Sequence, residues 1–283
     1  MKSENKKSTH KGKKDGKRIG IILYPSFDTL DVIGAHQVFH YACSFHDDSE
    51  VLLIGPGEED MLLPQMEPYR ESTAKRLVIS GEGLKLEMDI TYQDYLNAKD
   101  KYALDVVYVP GAMKTYLPLY FSETREYNSF FRLLEKAQKE VEIIASVCTG
   151  ALLLGTAGLL AGRRVTTHWQ VANLLRQFPE VTVAAEFPRF VVDESVVTGG
   201  GISSTIDEAL AISTMIFDQE TAEKAQLIMQ YNPDPPVQSG DPGVASPKIM
   251  FETSKQKKGK YKPGFYDIND TTFLYYLENQ RIP

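Results

Sequence analysis

The chain has 283 residues, 42% of them apolar and 24% charged, with a formal net charge of −7. That is enough apolar material for a sizeable core, yet no apolar run reaches the roughly 20 residues needed to cross a bilayer, so no membrane partner is expected. The two cysteines, Cys43 and Cys148, exclude a disulfide scaffold and fit a reducing cytosol, which makes the expected location cytoplasmic.

The charge is unevenly spread. Residues 1–18 carry eight Lys/Arg against two acids, which leaves −13 on the rest of the chain. An acidic body argues against a broad nucleic-acid surface. The Lys-rich start has no apolar segment before Arg18, so residues 1–17 read as a disordered basic extension and not as a secretory signal.

From Arg18 the apolar run Ile19–Tyr24 predicts a buried parallel strand, ended by Pro25 and Ser26. Asp28, Thr29 and Asp31 supply helix-start chemistry, and the spacing of Val32, Ala35, Val38, Phe39 and Ala42 predicts a helix over 31–45. Val51–Ile54 reads as a second strand. Residues 58–75 read as irregular, and Arg76–Ile79 as an edge or accessory strand. A short helix over 92–98, a third buried strand over 105–109 ending in Pro110–Gly111, and an amphipathic helix over 123–139 follow. Val141–Val147 is a β-branched strand that stops at Cys148, and a helix follows over 149–157. Beyond it come a strand near 164–167, a helix over 169–177, strands near 181–184, 187–192 and 195–198, and a long helix over 204–217. This alternation with short loops predicts a flavodoxin-like, doubly wound α/β fold: a mostly parallel sheet with helices on both faces. The domain itself spans 18–239. Residues 240–264 are rich in Gly, Pro and Lys and read as a linker or arm, and the aromatics of 265–281 suggest a final short helix, so 240–283 forms a C-terminal arm.

Strand, sharp turn and helix around Cys148 make a cysteine version of the nucleophile elbow. Helix-start amides and the helix dipole favour an anion there, so a lowered thiol pKa is expected. A small buried cysteine at a strand end is the plainer alternative. Asp31, at the first helix and over the same sheet edge, is the candidate proton donor or acceptor. Asp28 is its rival, and an ordinary helix cap is the alternative for Asp31. Backbone amides near Gly111 and Ala112 could stabilise developing charge, and the Thr149 hydroxyl could orient water or cap its helix. His168, Gly199 and Gly200 are candidates to line the pocket, although a structural His at a helix start explains His168 more simply. His36 and His40 stand four apart on a helix, but His46 is the only further ligand at hand, so no metal is expected.

These pieces occur in order: Ile21–Pro25 with Leu30–Gly34, Val109–Gly111, Val147–Ala151, Ala157–Arg163 with Thr166–Trp169, Thr198–Gly200 with Ile206–Asp207, and Tyr231–Pro236. Together they resemble the ThiJ/PfpI superfamily, whose domain is similar to class I glutamine amidotransferases. Within it the resemblance is greatest to the isonitrile hydratase branch. That branch pairs an Asp in the first loop with a Cys followed by Thr. The resemblance implies hydration of an isonitrile to an N-substituted formamide through a thioimidate on Cys148. Asp31 would be the acid/base residue, Thr149 the assisting residue, and no cofactor would be needed. It further implies a small-molecule substrate and a homodimer. A cysteine redox or ligand sensor, or a hydrolase or deglycase of carbonyl adducts, are the other activities this fold suggests. The chain departs from the pattern at Ala35, where the branch has Pro, and at Ala112, where Pro-Gly-Gly is common. Relatives that regulate transcription carry a helix-turn-helix region after this domain, and the segment here is too short and too Pro/Lys-rich for one.

Overall fold

A computed structural model describes residues 16–62, 66–98, 101–112 and 128–254. Residues 1–15 of the expected 1–17 extension, the 123–127 start of the amphipathic helix and the expected 265–281 helix lie outside the described residues.

The strands are β1 (Arg18–Ile22), β2 (Glu50–Gly55), β3 (Leu77–Ile79), β4 (Lys85–Glu87), β5 (Ile90–Thr91) and β6 (Val106–Val109), followed by β7 (Ile143–Ser146), β8 (Arg164–Val165), β9 (Thr182–Val183), β10 (Phe190–Asp193) and β11 (Val196–Gly199). Seven of them form one sheet in the order β10-β11-β7-β6-β1-β2-β5. Every pairing in it is parallel except β10 with β11. The central strands are buried on both faces, which is why they read as continuous β-branched runs in the sequence. The doubly wound, mostly parallel α/β architecture is therefore the one observed.

Four neighbouring parallel strands, β11, β7, β6 and β1, deliver their carboxyl-terminal loops to one edge of the sheet. Those loops are Gly199–Gly201, Val147–Thr149, Pro110–Ala112 and Leu23–Asp28. In an open α/β sheet this edge is where ligands bind.

The first helix runs over Thr29–Cys43, two residues earlier than its spacing predicts, because the Asp28 side chain caps it by accepting from the Leu30 amide. It packs on the helix Ser204–Ile216, and a Cβ on Gly34 would collide with Thr205.

Several expectations need correction. The stretch 58–75 is not irregular: it holds a 3-10 turn, Glu58–Met61, and a helix, Glu67–Ala74, started by Pro68. The expected edge or accessory strand is the accessory one: among the described residues β3 pairs with β4 alone, in a separate two-stranded ribbon. A helix over Gln219–Ile228 has no counterpart in the sequence reading. The arm is not featureless either, since Pro247–Ser254 is helical. Lys17, assigned to the extension, is held to the body: its ammonium reaches Glu142 at 2.7 Å and its amide donates to Ser49 Oγ at 2.9 Å. Among the described residues no helix is long and apolar enough to cross a membrane.

Candidate active site

β7 ends at Ser146, Val147 follows, and Cys148 turns the chain with φ 56°, in the left-handed region. The helix Gly150–Thr156 starts two residues later. Two hydrogen bonds pin this corner. The Cys148 amide donates to the Gly199 carbonyl at 3.1 Å, and the Cys148 carbonyl accepts from the Thr167 hydroxyl at 2.7 Å. Only 6% of Cys148 is exposed.

Asp31 is fully buried in the first turn of its helix. Its Oδ2 accepts from the Gly111 amide at 2.7 Å, while Oδ1 has no partner among the described residues. Gly111 is the meeting point of the site. A Cβ there would lie 2.8 Å from Asp31 Oδ2, 2.8 Å from Cys148 Cβ and 2.8 Å from the Thr149 nitrogen. Only glycine lets the Pro110–Ala112 loop pass between Asp31 and Cys148. The Gly111 carbonyl in turn accepts from the Asp28 amide at 2.8 Å, which ties the two loops together. Asp28 is thus the cap, and Asp31 the carboxyl turned into the site.

Electrostatics here differ from the sequence expectation. The Cys148 thiol is pushed well above its ordinary value, first by burial, then by the Asp31 and Asp28 carboxyls; the Thr149 amide pulls it down only in part. The expected lowering fails because the corner is closed from water and faces acids. Burial likewise raises Asp31 well above the usual carboxylate range, with Asp28 adding to it against the Gly111 amide. Asp28 is raised to about 6 by burial and by Glu82. Burial thus favours the protonated form of both the acid and the thiol.

Thr149 neither caps its helix through its side chain nor points at open space. Its hydroxyl donates to the Ala112 carbonyl at 2.9 Å and accepts from the Ala112 amide at 2.8 Å. Ala112 also bridges to Phe27. The amides of Gly111 and Ala112, expected to serve developing charge, are thus already engaged, by Asp31 and Thr149 respectively. In this structure both amides hold the loop in position, as buried amides take the nearest acceptor.

Of the remaining candidates, Gly199 braces the elbow from behind and Gly200 donates to the Arg189 carbonyl at 2.8 Å. His168 caps the 3-10 turn Trp169–Val171 through Nδ1, and burial lowers its pKa to about 4, which matches the structural reading of this histidine. His36 and His40 stack at 6.0 Å, but His46 lies against Phe217 and bonds Thr221 Oγ1 at 2.9 Å.

Sequence reasoning missed Glu208. It is fully buried, accepts from the Tyr108 hydroxyl at 3.0 Å, and abuts Gly199, the residue behind the nucleophile. Burial raises its pKa against the pull of the Tyr108 hydroxyl, and a charge on Glu208 would raise Asp31 further. No sequence signal marks it, because an acid on a helix ordinarily faces water.

Comparison with known proteins adds four observations. The sequence pattern of the DJ-1/PfpI family matches residues 17–215. An isonitrile hydratase from Pseudomonas putida is 31% identical over 239 residues, which is 84% of this chain and 89% of that one. A crystal structure of a ThiJ/PfpI family protein from Pseudomonas syringae superposes with a TM-score of 0.68 at 24% identity, covering 84% of each chain. Drosophila melanogaster DJ-1beta superposes with a TM-score of 0.60 at 18% identity, over 77% of this chain and all of the other.

Proposed function

The chain belongs to the DJ-1/PfpI family, and on that premise we propose that it hydrates isonitriles to N-substituted formamides at Cys148. The observation that carries this reading is the convergence of Asp31, Cys148 and Thr149 on Gly111, with one oxygen of the Asp31 carboxyl left without a partner among the described residues. A terminal isonitrile carbon must gain both a proton and a nucleophile. A buried carboxyl whose pKa is raised holds a proton it can donate, and the adjacent thiol supplies sulfur.

In the first step Asp31 protonates the terminal carbon and Cys148 sulfur bonds to it. The thiol proton passes to the Asp31 carboxylate, which restores the acid and leaves an S-bound thioimidate. Water then adds to the thioimidate carbon. Collapse breaks the carbon–sulfur bond, the departing sulfur recovers a proton, and the formamide leaves. The net change is one water added per isonitrile. Thr149 acts by fixing Ala112, and so the Gly111 loop that holds Asp31.

A sensor based on thiol oxidation is the weaker reading. Oxidation favours exposed thiolates, whereas this thiol is buried and raised. The test is turnover of small isonitriles by purified protein, with formamide followed by mass spectrometry. Wild type should release formamide and Cys148→Ala none. A Cys148 adduct heavier by one substrate should be trappable at short times. Absence of formamide from every small isonitrile, with turnover of carbonyl adducts instead, would overturn the hydratase reading.

We place this enzyme in the cytoplasm as a homodimer of the 18–239 domain. Two free thiols support a reducing compartment. Leu30 and Ile33, exposed on the first helix, support a subunit contact.

A further inference from the structure

Beneath the site, the helix Ser204–Ile216 carries Thr205 and Glu208 three residues apart, and both are fully buried. They meet Tyr108 from β6. Tyr108 Oη lies 3.0 Å from Glu208 Oε2 and 3.0 Å from Thr205 Oγ1. Thr205 Oγ1 in turn lies 3.4 Å from the Asp31 carbonyl oxygen. The three contacts form one wire from Glu208 to the backbone of Asp31. Glu208 Oε2 also lies against Gly199, where a Cβ would stand, and the Gly199 carbonyl holds the Cys148 amide at 3.1 Å. One side chain therefore touches the supports of both Asp31 and Cys148.

Each contact on the wire needs one proton. A carbonyl and a carboxylate can only accept. With Glu208 ionised, the hydroxyl protons of Tyr108 and Thr205 must serve three contacts. Tyr108 gives its proton to Glu208, and Thr205 then cannot supply both Tyr108 and the Asp31 carbonyl. With a proton on Glu208 Oε2 the direction reverses. Glu208 donates to Tyr108, Tyr108 to Thr205, and Thr205 to the Asp31 carbonyl, so all three contacts are hydrogen bonds. The surroundings favour the same state. Among the described residues no Lys, Arg or His pairs with Glu208, and a charge buried there would be poorly compensated. We propose that Glu208 is held as a carboxylic acid and is a positioning residue for the Asp31–Cys148 site, the donor that sets the wire running toward Asp31. Burial raises its pKa, the direction this needs. The effect on turnover rests on the hydratase reading, whereas the proton on Glu208 does not. In that reading Asp31 gives up its proton, and a neutral Glu208 adds no charge to repel the carboxylate that forms.

Infrared spectra of the full chain at neutral pH test the proton. A carboxylic acid gives a carbonyl band separate from those of ionised carboxylates. Wild type should show a component of that band that Asp31→Asn keeps and Glu208→Gln loses. Turnover of a small isonitrile tests the positioning. Glu208→Met, close in size but without a donor, should lower kcat about tenfold or more with KM little changed and an unaltered circular dichroism spectrum. Should Glu208→Met fail to fold, Tyr108→Phe, which cuts the wire at its middle, takes its place with the same expected loss. Glu208→Gln should recover most of that loss, since its amide N–H can donate to Tyr108 as the acid does. An acid band untouched by Glu208→Gln, a Glu208→Gln as impaired as Glu208→Met or unable to fold, or wild-type kcat in Glu208→Met would each overturn the proposal. A wild type that yields no formamide would count against the hydratase reading instead, and the infrared band would still decide whether Glu208 holds its proton.

Discussion

Asp31 and Asp28 lie three residues apart and sit in opposite roles. Asp31→Asn keeps an oxygen for the Gly111 amide but has no proton to give. Its turnover of isonitrile should fall about 10²–10⁴-fold with an unchanged circular dichroism spectrum. Asp28→Asn retains a good helix cap and should keep most of the activity. The reverse outcome would mean that Asp28 is the acid. Asp28 also carries a pH signature. Its folded value of about 6 lies above the ordinary 3.8, so the folded chain keeps a proton that the unfolded chain releases. That stabilisation is complete below the ordinary value and is lost as pH rises through about 6. The melting temperature of wild type relative to Asp28→Asn should therefore fall between about pH 4 and 6. A flat difference would place Asp28 in water.

At the scale of loops and helices, the elbow depends on one hydroxyl. Thr149→Val removes both bonds to Ala112 and leaves its buried amide and carbonyl without the Thr149 hydroxyl. We expect a loss of about 1–3 kcal/mol in urea unfolding, together with lower activity, because the loop that orients Asp31 loosens. Full activity at reduced stability would confine Thr149 to a structural part. The elbow was legible because a β-branched strand cannot run through Cys148–Thr149–Gly150 into an apolar helix without a corner. Asp31 was legible as part of the first loop. The thiol's environment was not, because burial and the acids that raise it come from separate strands and helices. Glu208 was hidden for the same reason, since its partner Tyr108 stands on β6, a hundred residues earlier. The Gln219–Ile228 helix escaped because it buries only Thr221, Ala222 and Ala225, too small a stripe to show apolar periodicity. The fold itself was readable strand by strand, since parallel strands buried on both faces leave continuous apolar runs.

For the molecule as a whole, the first helix both carries Asp31 inward and shows Leu30 and Ile33 outward. A subunit contact there would couple dimerisation to the position of the acid. Light scattering at micromolar concentration should return a dimer, and Ile33→Asp should shift it toward monomer by placing a charge in an apolar contact. A wild-type monomer would refute the homodimer.

The left-handed backbone at Cys148 has a consequence for what selection must tolerate. Side chains resist that conformation and glycine does not, so Cys148 occupies a position where stability alone would favour glycine. Alanine ordinarily outranks glycine by about 0.5–1 kcal/mol in an ordered element. At position 148 the ranking should invert, with Cys148→Gly melting at or above Cys148→Ala although both are inactive. Reactivity at this corner is thus kept against a standing pull toward a quieter, inert sequence.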